Sequence, residues 1–375
     1  MTTTIRARGP RELLAYVPYR LGYRPADSVV LVSLRPPRGR IGLVARADVD
    51  DLSDLEHGPQ LARSLVTHLC GDGAARAALV LYSDVPLRGS VRGARERAAV
   101  EHAREAAEPF LGDVEAWVVS SSGYYALDCT DDDCCPPLGR PLRDLEGSEI
   151  SAHMVLAGTT VADSRAASFL IRPAPGELRR RAARAAARWR RRGEEARAVP
   201  GASADWQADG LDAWRRAVAL AERGDGGGSV LPAALLGRLE AALGSVPVRD
   251  AVLVSLVPGT GDLSDRTVGG GDVDEGTSRA IGAIVDPRSA VEPDEDLTAP
   301  ARAVLEAVVA HGARGAQAPA LTLLAVLAWW HGDGGRAGER ARAALEHDPG
   351  YRLALLLDRA LDAGVPPGWA RAARV

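Results

Sequence analysis

The front of the chain alternates between two hydrophobic periods. Ser28 to Leu34 is a continuous apolar, β-branched run, the pattern of a strand buried on both faces. Pro36 to Arg40 turns the chain, and Ile41 to Val49 follows as a partner strand. Leu55, Leu61, Leu65, Val66 and Leu69 then repeat at helical spacing, which predicts a helix over Leu52–Leu69 ended by Gly71 and Gly73. Ala77–Tyr82 reads as a strand, Val91–Phe110 as a helix with one charged face, and Val114–Ser120 as a strand. Gly123–Cys129 returns beside that strand as a hairpin. A short helix over Arg11–Val17 precedes all of these, and Pro18 is expected to stop it. Strands separated by helices predict an α/β N-terminal domain with a partly parallel sheet over residues 1–145.

Beyond that point the period is helical almost everywhere. Ser148–Leu156, Glu177–Arg197, Asp205–Arg223, Leu231–Leu243, Arg279–Val285 and Ala299–Gly312 all read as helices. Pro247–Leu256 echoes the first strand in composition but has helical neighbours, so it is assigned to helix. Gly259–Asp274, rich in glycine and aspartate, is the expected mobile loop. Leu321, Leu324, Ala325, Ala328, Ala337, Ala341 and Pro349 fall at the spacing of a tetratricopeptide repeat, with a further helix over Tyr351–Leu361. The prediction is an all-α helical C-terminal domain over 146–375 with a tetratricopeptide-like end at 320–365. One repeat is too few to stand alone, so it must pack on the helices before it.

Composition narrows the chemistry. The 375 residues carry a net charge of −4, which argues against bulk nucleic-acid binding by the whole surface. No lysine occurs anywhere in the chain. That excludes standard P-loop, protein-kinase and pyridoxal-phosphate sites, each of which needs a lysine amine. Met1–Pro10 has no apolar run of a secretory signal, and the longest apolar stretch, Leu321–Trp330, is too short to span a bilayer. The expectation is a cytoplasmic protein without membrane association, its thiols reduced.

Three of the four cysteines crowd together as Cys129, Cys134 and Cys135. Cys129-x4-Cys134 has the spacing of a single zinc knuckle, and Cys135 offers a third thiolate. Cys70, His153 or a nearby aspartate could complete the set. Asp131, Asp132 and Asp133 favour a cation and should raise the thiol pKa. Packed thiols, a metal site (zinc first) and a reversible Cys129–Cys134 disulfide all remain open on these residues. A second candidate lies at the carboxyl ends of the predicted strands, at Ser83-Asp84 and Ser120-Ser121-Ser122, where open α/β sheets hold ligands. No glycine-rich nucleotide fingerprint and no nucleophile elbow accompanies it, and such residues also simply form turns. Tyr16, Tyr19 and Tyr23 crowd beside Pro18 as a plug over the sheet. Arg180, Arg181, Arg184, Arg188, Arg191 and Arg192 line one helix face, which a lysine-free chain needs for solvation. His331 ends an apolar helix, where a cation suits the dipole.

Three stretches together carry a resemblance. They are Leu14-x3-Pro18-Tyr19-x-Leu21-Gly22-x2-Pro25-x-Asp27-Ser28-Val29, then Cys129-x4-Cys134-Cys135-Pro136 with Gly139-Arg140-Pro141, then Ala328-Trp329-Trp330-x-Gly332-Asp333-Gly334 continuing through Asp348-Pro349-x-Tyr351-Arg352-Leu353-Ala354 to Gly364-Val365-Pro366-Pro367. In this order they resemble an actinobacterial family known only as a domain of unknown function. The resemblance implies an intracellular protein and carries over no catalytic residue. Two readings follow. One is a binding or regulatory protein that docks a protein partner through its helical C-terminal domain. The other is a zinc- or thiol-dependent enzyme or redox sensor built on Cys129, Cys134 and Cys135.

Overall fold

In the computed structural model, which describes residues 9–37, 39–88, 92–223, 231–269 and 275–372, the chain divides into two units, Met1–Leu170 and Ile171–Val375. The first contains α1 (Pro10–Leu21), β1 (Ser28–Arg35), β2 (Arg40–Asp48), α2 (Val49–Ser53), α3 (Gly58–Gly71), β3 (Arg76–Tyr82), α4 (Ala94–Leu111), β4 (Ala116–Val119), β5 (Tyr124–Ala126), α5 (Arg143–Glu146), α6 (Glu149–Leu156) and α7 (Arg165–Phe169). The five strands form one mixed sheet in the order β2-β1-β3-β4-β5. β3 and β4 are parallel, joined through α4, and the other neighbours are antiparallel. The expected α/β unit with a partly parallel sheet is present.

The continuous apolar run of β1 has a simple cause: both faces of the sheet are covered. Val29 and Leu31, with Leu79 and Leu81 of β3, pack toward Val66 and Leu69 of α3 and Ala99, Val100 and Ala103 of α4. The alternate residues Val30, Val32, Val80 and Tyr82 pack on the other face with Leu13, Leu14 and Val17 of α1. Ser28 pairs with Tyr82, and Tyr82 with Val119. The start of β1 and the ends of β3 and β4 therefore finish at one edge of the sheet.

Local chemistry moved some boundaries. Pro18 does not stop α1; the helix runs on to Leu21 and closes at Gly22, whose φ of 77° lets its N–H reach the Pro18 carbonyl at 2.8 Å. Burial of Leu13, Leu14, Ala15 and Val17 against the sheet outweighs the one ladder hydrogen bond that proline removes. The single helix expected over Leu52–Leu69 is two. The Asp54 carboxylate takes the N–H groups of Glu56 at 2.9 Å and His57 at 2.7 Å, which breaks the chain before Pro59 restarts it. Val91, where the next helix was expected to begin, lies outside the described residues; α4 starts at Ala94.

The second unit contains α8 (Gly176–Arg197), α9 (Ala202–Glu222), α10 (Ala233–Leu243), α11 (Val246–Ser255), α12 (Leu263–Val268), α13 (Glu275–Val285), α14 (Glu295–His311), α15 (Ala318–Trp330), α16 (Gly334–His347), α17 (Arg352–Asp362) and α18 (Gly368–Ala372). Among its described residues there is no strand, so this region is helical as expected, and the ambiguous Pro247–Leu256 segment is helix α11. The expected loop at Gly259–Asp274 is partly wrong: Leu263–Val268 is helical, with Leu263, Ser264 and Val268 buried, while 270–274 lie outside the described residues. Every residue of α15 is buried, and Ala325, Ala337, Ala341 and Ala344 let α15 and α16 approach closely. The Asp333 carboxylate caps α16 by accepting the Arg336 N–H at 2.9 Å.

Candidate metal centre

The thiol loop begins where β5 ends. Leu127 N–H bonds the Ala116 carbonyl at 2.8 Å, the last rung of the sheet before the chain leaves it. Asp131 then builds a turn. Its carboxylate accepts the Asp133 N–H at 2.9 Å and the Cys134 N–H at 3.3 Å, and its carbonyl accepts the Cys135 N–H at 2.7 Å. That turn folds Cys134 and Cys135 back toward Cys129. The ligand atoms of the three cysteines lie within 4.8 Å of one another.

One guanidinium fastens the loop. Arg88 donates to the carbonyls of Ala126 at 2.9 Å, Cys129 at 2.6 Å and Cys135 at 2.7 Å, and lies 4.3 Å over the ring of Tyr125. Arg140 supplies a second positive charge, donating to the Cys134 carbonyl at 2.7 Å and to its sulfur at 3.7 Å. Neither arginine is recognisable from the cysteine spacing, although Arg140 stands in the second of the three sequence stretches.

Electrostatics differ along the triad. Cys134 is exposed, and hydrogen bonding and charge repulsion from Cys129 and Cys135 push its pKa up. Cys135 is buried, which opposes ionisation, but hydrogen bonds from the Ala126 main chain, the other two cysteines and Arg88 bring its thiol below the ordinary value. The expected rise from the intervening aspartates is not what sets these values. Asp131 is turned onto the backbone; the neighbouring sulfurs set the direction at Cys134, and at Cys135 burial is opposed first by the Ala126 main chain and then by the other sulfurs and Arg88.

All four cysteines are free thiols. Among the described residues Cys70, His153 and the aspartates do not join the group of three. The Ser83-Asp84 and Ser120–Ser122 tracts do come together. Asp84 accepts the Ser121 N–H at 2.6 Å, and the Ser120 and Ser122 hydroxyls lie 2.8 Å apart. Of the clustered tyrosines, Tyr23 packs edge-on against Phe169 at 5.8 Å, whereas Tyr19 lines a cavity. The arginine face of α8 is partly occupied by exposed pairs, Arg181 with Glu177 and Arg191 with Glu195. Burial lowers the pKa of His331, which sits 2.8 Å from the Thr298 hydroxyl; it is held toward the neutral form rather than as the cation expected at a helix end.

The model of a family described as a domain of unknown function (DUF4192) matches residues 10–265 and 289–368. No curated protein and no solved structure matches the chain. Among the described residues no helix is long and apolar enough to cross a membrane.

Proposed function

Since the chain belongs to this domain-of-unknown-function family, whose description assigns no chemistry, we propose a function from the thiol loop itself: the protein binds one thiophilic metal ion, zinc first, through Cys129, Cys134 and Cys135. The observation that carries this reading is the mutual approach of three sulfurs within 4.8 Å. A tetrahedral zinc with bonds of about 2.3 Å needs sulfur–sulfur edges of about 3.8 Å, so roughly an ångström of closure suffices. Three thiolates around a divalent ion leave one net negative charge, which Arg88 and Arg140 are placed to offset. Three protein ligands also leave a coordination position for an outside ligand, the arrangement of reactive or regulatory zinc rather than of a closed structural site.

Metal analysis with thiol titration, before and after reductant, tests the reading. The expected result is about one zinc per chain, lost in Cys134→Ser and kept in Cys70→Ser. Copper(I) in its place would keep the centre and change the ion. Metal-free protein after reconstitution with either ion, with its thiols freely titratable, would remove it. A Cys129–Cys134 disulfide forming reversibly without metal would turn the reading into a redox sensor. Docking of a protein partner by the helical unit has less behind it: α15 is buried along its whole length, so the repeat-like pair has no free face on that helix to offer.

A further inference from the structure

A cavity of about 500 Å³ opens at the edge of the sheet where β1 begins and β3 and β4 end. Its volume lies in the range of small-molecule sites. Its wall comes from α1 and the tract between α1 and β1, from the last residues of β3 and β4 and those just after them, from Leu142, Leu145, Glu146 and Ser151, and from Val161. All of these belong to the first unit.

The polar groups of the wall are uneven in charge. Asp27, Asp84 and Glu146 face a single guanidinium, Arg24, which already pairs with Glu146 at 3.5 Å. Asp84 has given one oxygen to the Ser121 N–H and keeps further acceptor capacity. Among the described residues Asp27 is the one non-glycine residue with positive φ, at 44°, and its carbonyl is tied to the Val49 N–H at 2.9 Å. Tyr82 is also in the wall and only 5% exposed; its hydroxyl is closed off beneath that wall and has no hydrogen-bond partner among the described residues. A buried hydroxyl left unpaired is costly, and such groups ordinarily find a partner. Burial also raises its pKa, so the group stays a neutral phenol.

We propose that this cavity binds a small organic cation, an ammonium held by Asp27 and Asp84 on an apolar or aromatic body. Among the described residues Asp27 and Asp84 have no cationic partner, and two such carboxylates repel phosphates and carboxylic acids. Divalent-metal binding is not favoured, since Asp27, Asp84 and Glu146 do not converge into a ligand set among the described residues. The wall around the acids, with Tyr19, Pro18, Pro25, Val119 and Leu142, suits a hydrocarbon or aromatic body.

Calorimetric titration of the full chain with tyramine and with 4-hydroxyphenylacetate, two probes of near-equal shape and opposite charge, tests the proposal. Tyramine should bind and the acid should not. Asp27→Asn, which tolerates the positive φ, and Asp84→Asn should each weaken tyramine binding about tenfold. Tyr82→Phe should leave tyramine binding unchanged and the free protein as stable as the wild type or more so, because it removes an unpaired hydroxyl that the ligand does not reach. Equal binding of both probes, binding of neither, or undiminished binding in folded Asp27→Asn and Asp84→Asn proteins would overturn it. Should an Asp variant not fold, the charge comparison on the wild-type chain still decides.

Discussion

Replacing Arg88 by methionine separates the thiol centre from the sheet beneath it. Methionine keeps the apolar stem over Tyr125 and removes the charge and the donors. Three carbonyls, of Ala126, Cys129 and Cys135, lose a charged partner within 2.9 Å. Such bonds contribute about 1.5–3 kcal/mol each when shielded from water. This loop is partly exposed, so water takes up the freed carbonyls and about 1 kcal/mol apiece is the fitting figure, about 3 kcal/mol together. The loss falls on the order of the loop rather than on the core, since Val118, Leu79 and Leu81 are buried against residues of α3 and α4. Metal binding must then restore that order, and its apparent affinity should fall by roughly a hundredfold. Competition of the protein with a chromophoric zinc chelator reads this directly, with far-ultraviolet circular dichroism as the check on folding. Arg88→Lys should recover only part of the loss, because one ammonium cannot span three carbonyls as a planar guanidinium does. Zinc affinity in Arg88→Met within about threefold of wild type would refute the claim that this guanidinium organises the centre.

Other expected outcomes can be measured by unfolding. Gly139 has a φ of 80°, and a Cβ there would lie 2.8 Å from the Tyr124 nitrogen, whereas Gly73, at 82°, has nothing within 4 Å. Gly73→Ala should cost about 1 kcal/mol of backbone strain, and Gly139→Ala about 1–3 kcal/mol more, in a urea titration. In the helical unit, a Cβ on Gly237 of α10 would stand 2.6 Å from the Ala182 carbonyl carbon of α8. Gly237→Ala gains about 1 kcal/mol of helix propensity but must push two helices apart, for a net loss of about 2 kcal/mol and a melting point lower by about 4–8 °C. His331 has a folded pKa lowered by burial, against the pull of Glu295 and with the repulsion of Arg302. As pH falls through about 6.5 the unfolded chain takes up that proton first, so the contribution is complete above this value and declines below it toward the folded pKa. The urea midpoint of the second unit should drop between pH 7.5 and 5.5, and His331→Gln should flatten the drop.

What the sequence disclosed follows the range of the interactions involved. The run over Ser28–Leu34 announced β1 because both faces of that strand are buried, and α15 was legible for the same reason. The cysteine cluster was legible because Asp131 closes it within a few residues. Arg88 was not, because its partners lie 38 to 47 positions further on and depend on the parallel β3–β4 pairing. Pro18 and Asp54 misled in opposite ways. At Pro18 tertiary burial overrode a local breaker, and at Asp54 a single carboxylate broke a helix that the apolar spacing supported. The strand-end serines and aspartates were visible as turn formers. Their sharing of a wall with Tyr82 and Asp27 became visible only through the register that sets Ser28 opposite Tyr82.

The topology also decides whether the two candidate sites are one. From Ser120 and Ser121, at the cavity wall, the chain turns and runs back as β5, pairing Tyr124 with Val119 and Ala126 with Trp117. It therefore delivers the cysteines near the start of β4, the far end from the cavity. It returns to pair Arg140 with Tyr124 and then places Leu142, Leu145 and Glu146 back in the cavity wall. A strand of four residues separates the two ends by roughly 13 Å, too far for one small ligand to touch a metal on the thiols and the carboxylates of Asp27 and Asp84 together. The centres are separate in chemistry and share a frame. A change in a side chain of either, such as Cys134→Ser or Asp84→Asn, should leave the other intact. A change at Gly139, where the outgoing and returning segments cross at backbone contact, should damage both.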